Sequence, residues 1–187
     1  LQVNAFNSFN TLVDTNKDKL FGFSAVYDPN EKISVTYNFI TGDETADVVF
    51  RKHRRYYNNI YATFKLKKLS IALEANYGWQ ENSLLSDSLG TAGLYSGLIV
   101  ARYQFVKKVA AYVRGEYLSD PNAIVTGNLN FGENVMGTTG GLEYKPYKNV
   151  ALSLEGRALQ SDKMIFKENN YKTNQRYEVI FCLDVSF

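Results

Sequence analysis

The last eleven residues, Tyr177 to Phe187, put Tyr177, Val179, Phe181, Leu183, Val185 and Phe187 at the odd positions, with Glu178, Ile180, Cys182, Asp184 and Ser186 between them. Successive residues of a strand point to opposite faces, so this segment carries one unbroken apolar row and one mostly polar row. The rhythm recurs upstream. Ile33, Val35, Tyr37 and Phe39 alternate with Ser34, Thr36 and Asn38, and Leu69, Ile71, Leu73, Ala75, Tyr77 and Trp79 alternate with Ser70, Ala72, Glu74, Asn76 and Gly78. Further alternating segments run over about 1–9, 20–27, 58–66, 95–105, 109–117, 135–144 and 150–159, giving ten predicted strands.

The connections between these strands alternate long and short. Asp28–Glu31, Lys67–Lys68, Lys107–Lys108 and Pro146–Asn149 are tight turns, whereas Thr11–Lys19, Thr41–Tyr57, Gln80–Gly93, Leu118–Asn134 and Gln160–Arg176 are long and polar. Short turns at one end, long loops at the other and an even strand number are the pattern of outer-membrane barrels, and a soluble meander has no reason to keep it. Closure also answers an energetic demand. A backbone N–H or C=O left without a partner in hydrocarbon costs several kcal/mol, and only a sheet without edges avoids that. The prediction is an all-β fold: an antiparallel up-and-down transmembrane β-barrel of about ten strands, residues 1–187 forming one domain, with more strands in the barrel if the amino-terminus is missing.

Composition agrees with this and removes alternatives. The 14 Tyr and 12 Phe suit a sheet with interfacial aromatic girdles. No apolar run is long enough for a transmembrane helix, while a mean hydropathy of -0.28 is what a barrel with one polar face gives. A net charge of +2 is too small to imply a nucleic-acid partner. The single cysteine provides neither a disulfide framework nor a metal cluster. The chain opens at Leu1 without a basic or apolar leader, so an export signal is expected to have been removed or to lie outside this sequence.

The polar rows carry Glu74, Arg102, Arg114, Glu116, Glu143, Lys145, Glu155, Arg157, Glu178 and Asp184, which the alternation turns toward the lumen. Such residues either tune ion selectivity or fill a narrow bore with ion pairs, since barrels of about eight strands are packed with side chains and open channels appear at about sixteen. Arg51, Lys52, Arg54 and Arg55 form the densest basic run, a candidate loop patch for lipopolysaccharide phosphates or an acidic partner, because guanidinium forks match phosphate. Asp43, Glu44 and Asp47 lack the spacing of a calcium loop, and no metal or cofactor is expected. Catalysis is not expected either. His53 is the only histidine, sits among cations that disfavour its protonation and has no serine-centred motif beside it. Cys182 falls on the lumen row, where a buried, inert thiol is expected.

Two stretches resemble a known family. Ala101-Arg102-Tyr103-Gln104-Phe105 with Val113-Arg114-Gly115-Glu116-Tyr117-Leu118-Ser119-Asp120-Pro121, and Leu142-Glu143-Tyr144-Lys145-Pro146-Tyr147-Lys148-Asn149-Val150 with Leu154-Glu155-Gly156-Arg157, resemble hairpins of the OmpL-like porin family common in Bacteroidetes outer membranes. Val3-Asn4-Ala5-Phe6-Asn7-Ser8-Phe9 is similar to one of that family's mid-chain strands. The resemblance implies a bacterial outer-membrane porin that lets small polar solutes or ions pass, or alternatively a plugged barrel acting as a subunit of a larger outer-membrane complex. It also implies contact with outer-membrane lipid and lipopolysaccharide. A closing strand that ends in Phe187 resembles the signature read by the outer-membrane assembly machinery.

Overall fold

The computed structural model describes residues 1–9, 16–43, 45, 50–127, 134–168 and 171–186. Its strands are β1 (Gln2–Phe6), β2 (Leu20–Asn30), β3 (Ile33–Asp43), β4 (Arg54–Leu66), β5 (Leu69–Gln80), β6 (Ala92–Val106), β7 (Val109–Ser119), β8 (Asn134–Tyr147), β9 (Val150–Ser161), β10 (Phe166–Glu168), β11 (Tyr171–Thr173) and β12 (Gln175–Val185). Ten of them form one sheet in the order β1-β2-β3-β4-β5-β6-β7-β8-β9-β12, each antiparallel to its neighbours in the sheet. β1 and β12 are its two edges. β10 and β11 pair only with each other, as a small hairpin inside the last long loop.

The register keeps the two rows apart across the whole sheet. Leu73 stands opposite Ala62 and Ile99, and Glu74 opposite Tyr61 and Leu98, so each strand continues its neighbour's faces. Burial is inverted relative to a water-soluble domain. Ile99, Val113, Leu142, Leu154 and Phe181 are between 52% and 67% exposed, whereas among the described residues the buried apolar cluster is the small group Ala92, Leu94 and Ile124. A continuous exposed apolar row of this extent is a liability in water and the natural face toward lipid.

Aromatic side chains mark both ends of that row. At the long-loop end Tyr56 stacks on Trp79 at 5.0 Å and Tyr95 on Tyr117 at 5.7 Å; at the short-turn end Tyr103 meets Phe105 edge-on at 5.1 Å. Tyr95 and Phe105 lie on one strand, and their ten-residue separation is about 33 Å along it, or about 25 Å in height at a barrel strand's tilt, which is the thickness of the apolar band.

Three expectations from the sequence are revised. The strands outrun their alternating segments: β3 continues to Asp43 and β4 begins at Arg54, inside the stretch expected to be loop. Pairing persists beyond the membrane, where no lipid demands an apolar row. β1 ends at Phe6, before the expected boundary at Phe9. Pro29 and Pro146, expected in turns, instead lie inside β2 and β8 at register shifts. A bulge is where a strand tolerates a residue with no N–H to donate.

Candidate functional site

The polar row lines one side of the sheet, and its two halves differ in chemistry. Between β2 and β6 the middle of the row is uncharged except for Glu74, while Arg55 and Lys65 lie toward the two ends of β4. Ser24 Oγ donates to Asn38 Oδ1 at 2.7 Å, Asn38 Nδ2 to Asn59 Oδ1 at 2.8 Å, Asn59 Nδ2 to Asn76 Oδ1 at 2.8 Å, and Asn76 Nδ2 to Ser96 Oγ at 3.1 Å. Register makes this chain. Ser24, Asn38, Asn59, Asn76 and Ser96 are successive cross-strand partners, and short side chains directly opposite one another reach without stretching. Glu74 Oε1 accepts from Asn59 Nδ2 at 3.0 Å and Asn76 Nδ2 at 3.1 Å.

The other half, from β6 to β12, is ionic. Glu116 on β7 pairs with Arg157 on β9 and, at 3.4 Å, with Arg114 of its own strand. Arg157 continues to Glu178 on β12 at 3.7 Å, and Glu178 meets Arg176 at 2.7 Å. Tyr112 on β7 donates to Glu155 on β9, and Arg102 on β6 to Glu143 on β8, which also has Lys145 at 3.4 Å.

Each of the longer links joins a strand to its next-but-one neighbour, and a small residue stands on the strand between. Gly137 lies beneath Glu116 and Gly141 beneath Tyr112, so closely that a methyl group on either glycine would overlap those side chains. Ala110, opposite Glu143, is fully buried. The charged groups therefore lie along the wall.

Glu74, Arg102, Arg114, Glu116, Glu143, Glu155, Arg157, Glu178 and Asp184 share one face of the sheet, and the structure gathers Arg114, Glu116, Arg157 and Glu178 into one network. Asp184 stands apart, exposed opposite Ala151. Cys182 is exposed, contrary to the expectation of burial, because β12 is an edge strand with β9 alone beside it. Phe187, Glu44 and Asp47 lie outside the described residues.

The basic run does not gather into one patch. Arg51 donates to the Ser88 carbonyl and hydroxyl, Lys52 pairs with Asp18, and Arg55 donates to Gln80 Oε1 at 2.8 Å and the Ile124 carbonyl at 2.6 Å while its guanidinium stands 5.2 Å from the Phe9 ring. Arg54 is exposed on the opposite face of β4. Three of these cations thus tie neighbouring loops together. Asp43, 5% exposed, braces the loop by accepting the Thr45 and His53 amides. Among the described residues no group of three metal-ligating side chains converges.

Two features had no signal in the alternation. Residues 120–127 fold inward, placing Ile124 on Ala92 and Leu94 at the outer mouth, and Asp120 fixes that bend by accepting the amides of Ile124, Val125 and Thr126 at 2.9, 3.0 and 2.9 Å. His53 Nδ1 lies 3.0 Å from Ser83 Oγ, which itself donates to the Glu81 carbonyl.

A membrane-spanning antiparallel wall, apolar toward lipid and polar toward its bore, defines an outer-membrane β-barrel of the porin class. The chain matches, over residues 1–187, the family described as "Putative beta-barrel porin-2, OmpL-like", and it belongs to that family. Its location is the bacterial outer membrane. Among solved structures it is similar to a NanC porin in a rhombohedral crystal form, with a TM-score of 0.61 and 12% identity over 91% of this chain and 79% of that one, a likeness of fold. Among curated proteins no match to the chain was found.

Proposed function

We propose that this barrel passes small polar solutes and ions through a water-filled lumen, with Arg102, Arg114, Glu116, Glu143, Glu155 and Arg157 setting the field inside it. One observation carries the reading: the lumen charges are paired along the wall, over Gly137, Gly141 and Ala110. Groups satisfied on their own side of the wall need no partner across the bore, which supports a centre left to water. Purified protein added to a planar lipid bilayer is expected to produce discrete steps of conductance. A membrane that stays silent while the inserted barrel is shown to be folded would overturn the reading.

A further inference from the structure

The amide chain does more than finish the wall. Its donors run one way, from Ser24 to Ser96, so Asn59 and Asn76 spend both amide hydrogens, on Glu74 and on the next residue in the chain. What each Asn keeps is a second lone pair on its carbonyl oxygen, and Glu74 keeps Oε2. The middle of the row thus presents acceptors, with an amide hydrogen of Asn38 and the Ser96 hydroxyl at its ends, a complement to a solute bearing many hydroxyl groups.

Two cavities share this row. One, about 400 Å³, is lined by Asn38, Asn59, Glu74 and Asn76 together with Phe6 and Tyr57. The other, about 430 Å³, takes Glu74, Asn76 and Ser96 on one side and Glu116, Arg157 and Phe166 on the other. Phe6 lies over Gly22 and Tyr57 over Gly78, wall positions that have no side chain, and Phe6 is 40% exposed although it belongs to the polar row. Phe166 is brought in by the β10–β11 hairpin. Acceptors beside aromatic rings suit a pyranose, whose rim is hydroxyl and whose face is C–H.

Charge decides between sugar classes. Glu116 is balanced by Arg114 and Arg157, while Glu74 rests on amides alone among its hydrogen bonds here, so the shared centre of the two cavities is negative and disfavours carboxylated sugars. We infer that Asn38, Asn59, Asn76 and Ser96, with Phe6, Tyr57 and Phe166, form two adjoining subsites for a neutral saccharide, an inference that rests on the channel reading above.

The test uses the full chain in a planar bilayer, with maltotriose, cellotriose and raffinose as probes and a poly(ethylene glycol) of matching hydrodynamic size as the control for simple obstruction. At least one trisaccharide is expected to interrupt the current in a concentration-dependent way that the polymer does not reproduce. Replacing both Asn59 and Asn76 by Leu should weaken that block about ten-fold, the worth of two neutral hydrogen bonds. Phe6→Ala, which leaves the amides intact, should shorten each blocking event. Open channels indifferent to all three sugars, or blocked equally by the polymer, would overturn the saccharide site and leave the channel standing. Folded barrels that carry no current would remove the channel and this inference with it.

Discussion

Glu116 on β7 and Arg157 on β9 meet across β8 because Gly137 places no side chain between them. The pair is held by Nε, at 3.1 Å, as well as by Nη2, which fixes the carboxylate against the wall. Gly137→Val should lift Glu116 into the bore, lowering single-channel conductance, and the double variant Gly137→Val with Glu116→Ala should recover most of it. Conductance unaffected by Gly137→Val would mean that the carboxylate is not confined by that glycine.

The two faces of β5 make opposite demands on a charge. Leu73 is on the lipid side and Ala72, opposite Val100, on the lumen side. Leu73→Arg should destabilise the folded barrel by about 2–4 kcal/mol in a lipid refolding titration, while Ala72→Arg should cost far less. Equal losses would contradict the assignment of faces.

Asp120 is 3% exposed and serves as the common acceptor of the inward bend. Asp120→Ala should lower the local opening free energy of that bend by about 2 kcal/mol, speeding amide exchange at Ile124 to Thr126 roughly thirty-fold while exchange in the β5–β6 ladder stays slow. Conductance should rise as Ile124 leaves the mouth. Unchanged exchange at these amides would refute the role given to Asp120.

Lys52 donates to Asp18 and its charge further favours the carboxylate, holding Asp18 below the ordinary aspartate value. A lowered native value means that the tether between these two loops is complete above the unfolded value, near about pH 4, and is lost as pH falls through the native one. In an NMR titration the Asp18 midpoint should lie lower in the native protein than in Lys52→Met. Coincident midpoints would show that the pair does not persist in solution.

The parts of this structure that were legible in the sequence are those governed by contact with lipid. Leu73 and Glu74 could be assigned to opposite faces from spacing alone, because hydrocarbon on one side and water on the other force a two-residue period. That Arg114, Glu116 and Arg157 share one face follows from the same rule. Their partnership does not, since it depends on register and on Gly137 and Gly141 lying beneath long side chains. Beyond the membrane the period loses its cause, so the extension of β3 to Asp43, the inward bend at Ile124 and the β10–β11 hairpin left no alternation to read. Asn38, Asn59 and Asn76 were visible as polar positions, but only the pairing of β3 with β4 and of β4 with β5 reveals them as one hydrogen-bonded row.

The most direct test of a water-filled bore with alternating faces is thiol labelling along β7 during current recording. In a Cys182→Ala background, single cysteines at positions 113, 114, 115 and 116 are exposed to a charged, water-soluble methanethiosulfonate. Modification at 114 and 116 should change the current within the recording, and modification at 113 and 115, which face lipid, should leave it unaltered. A current that responds equally at all four positions, or only at 113 and 115, would contradict the account.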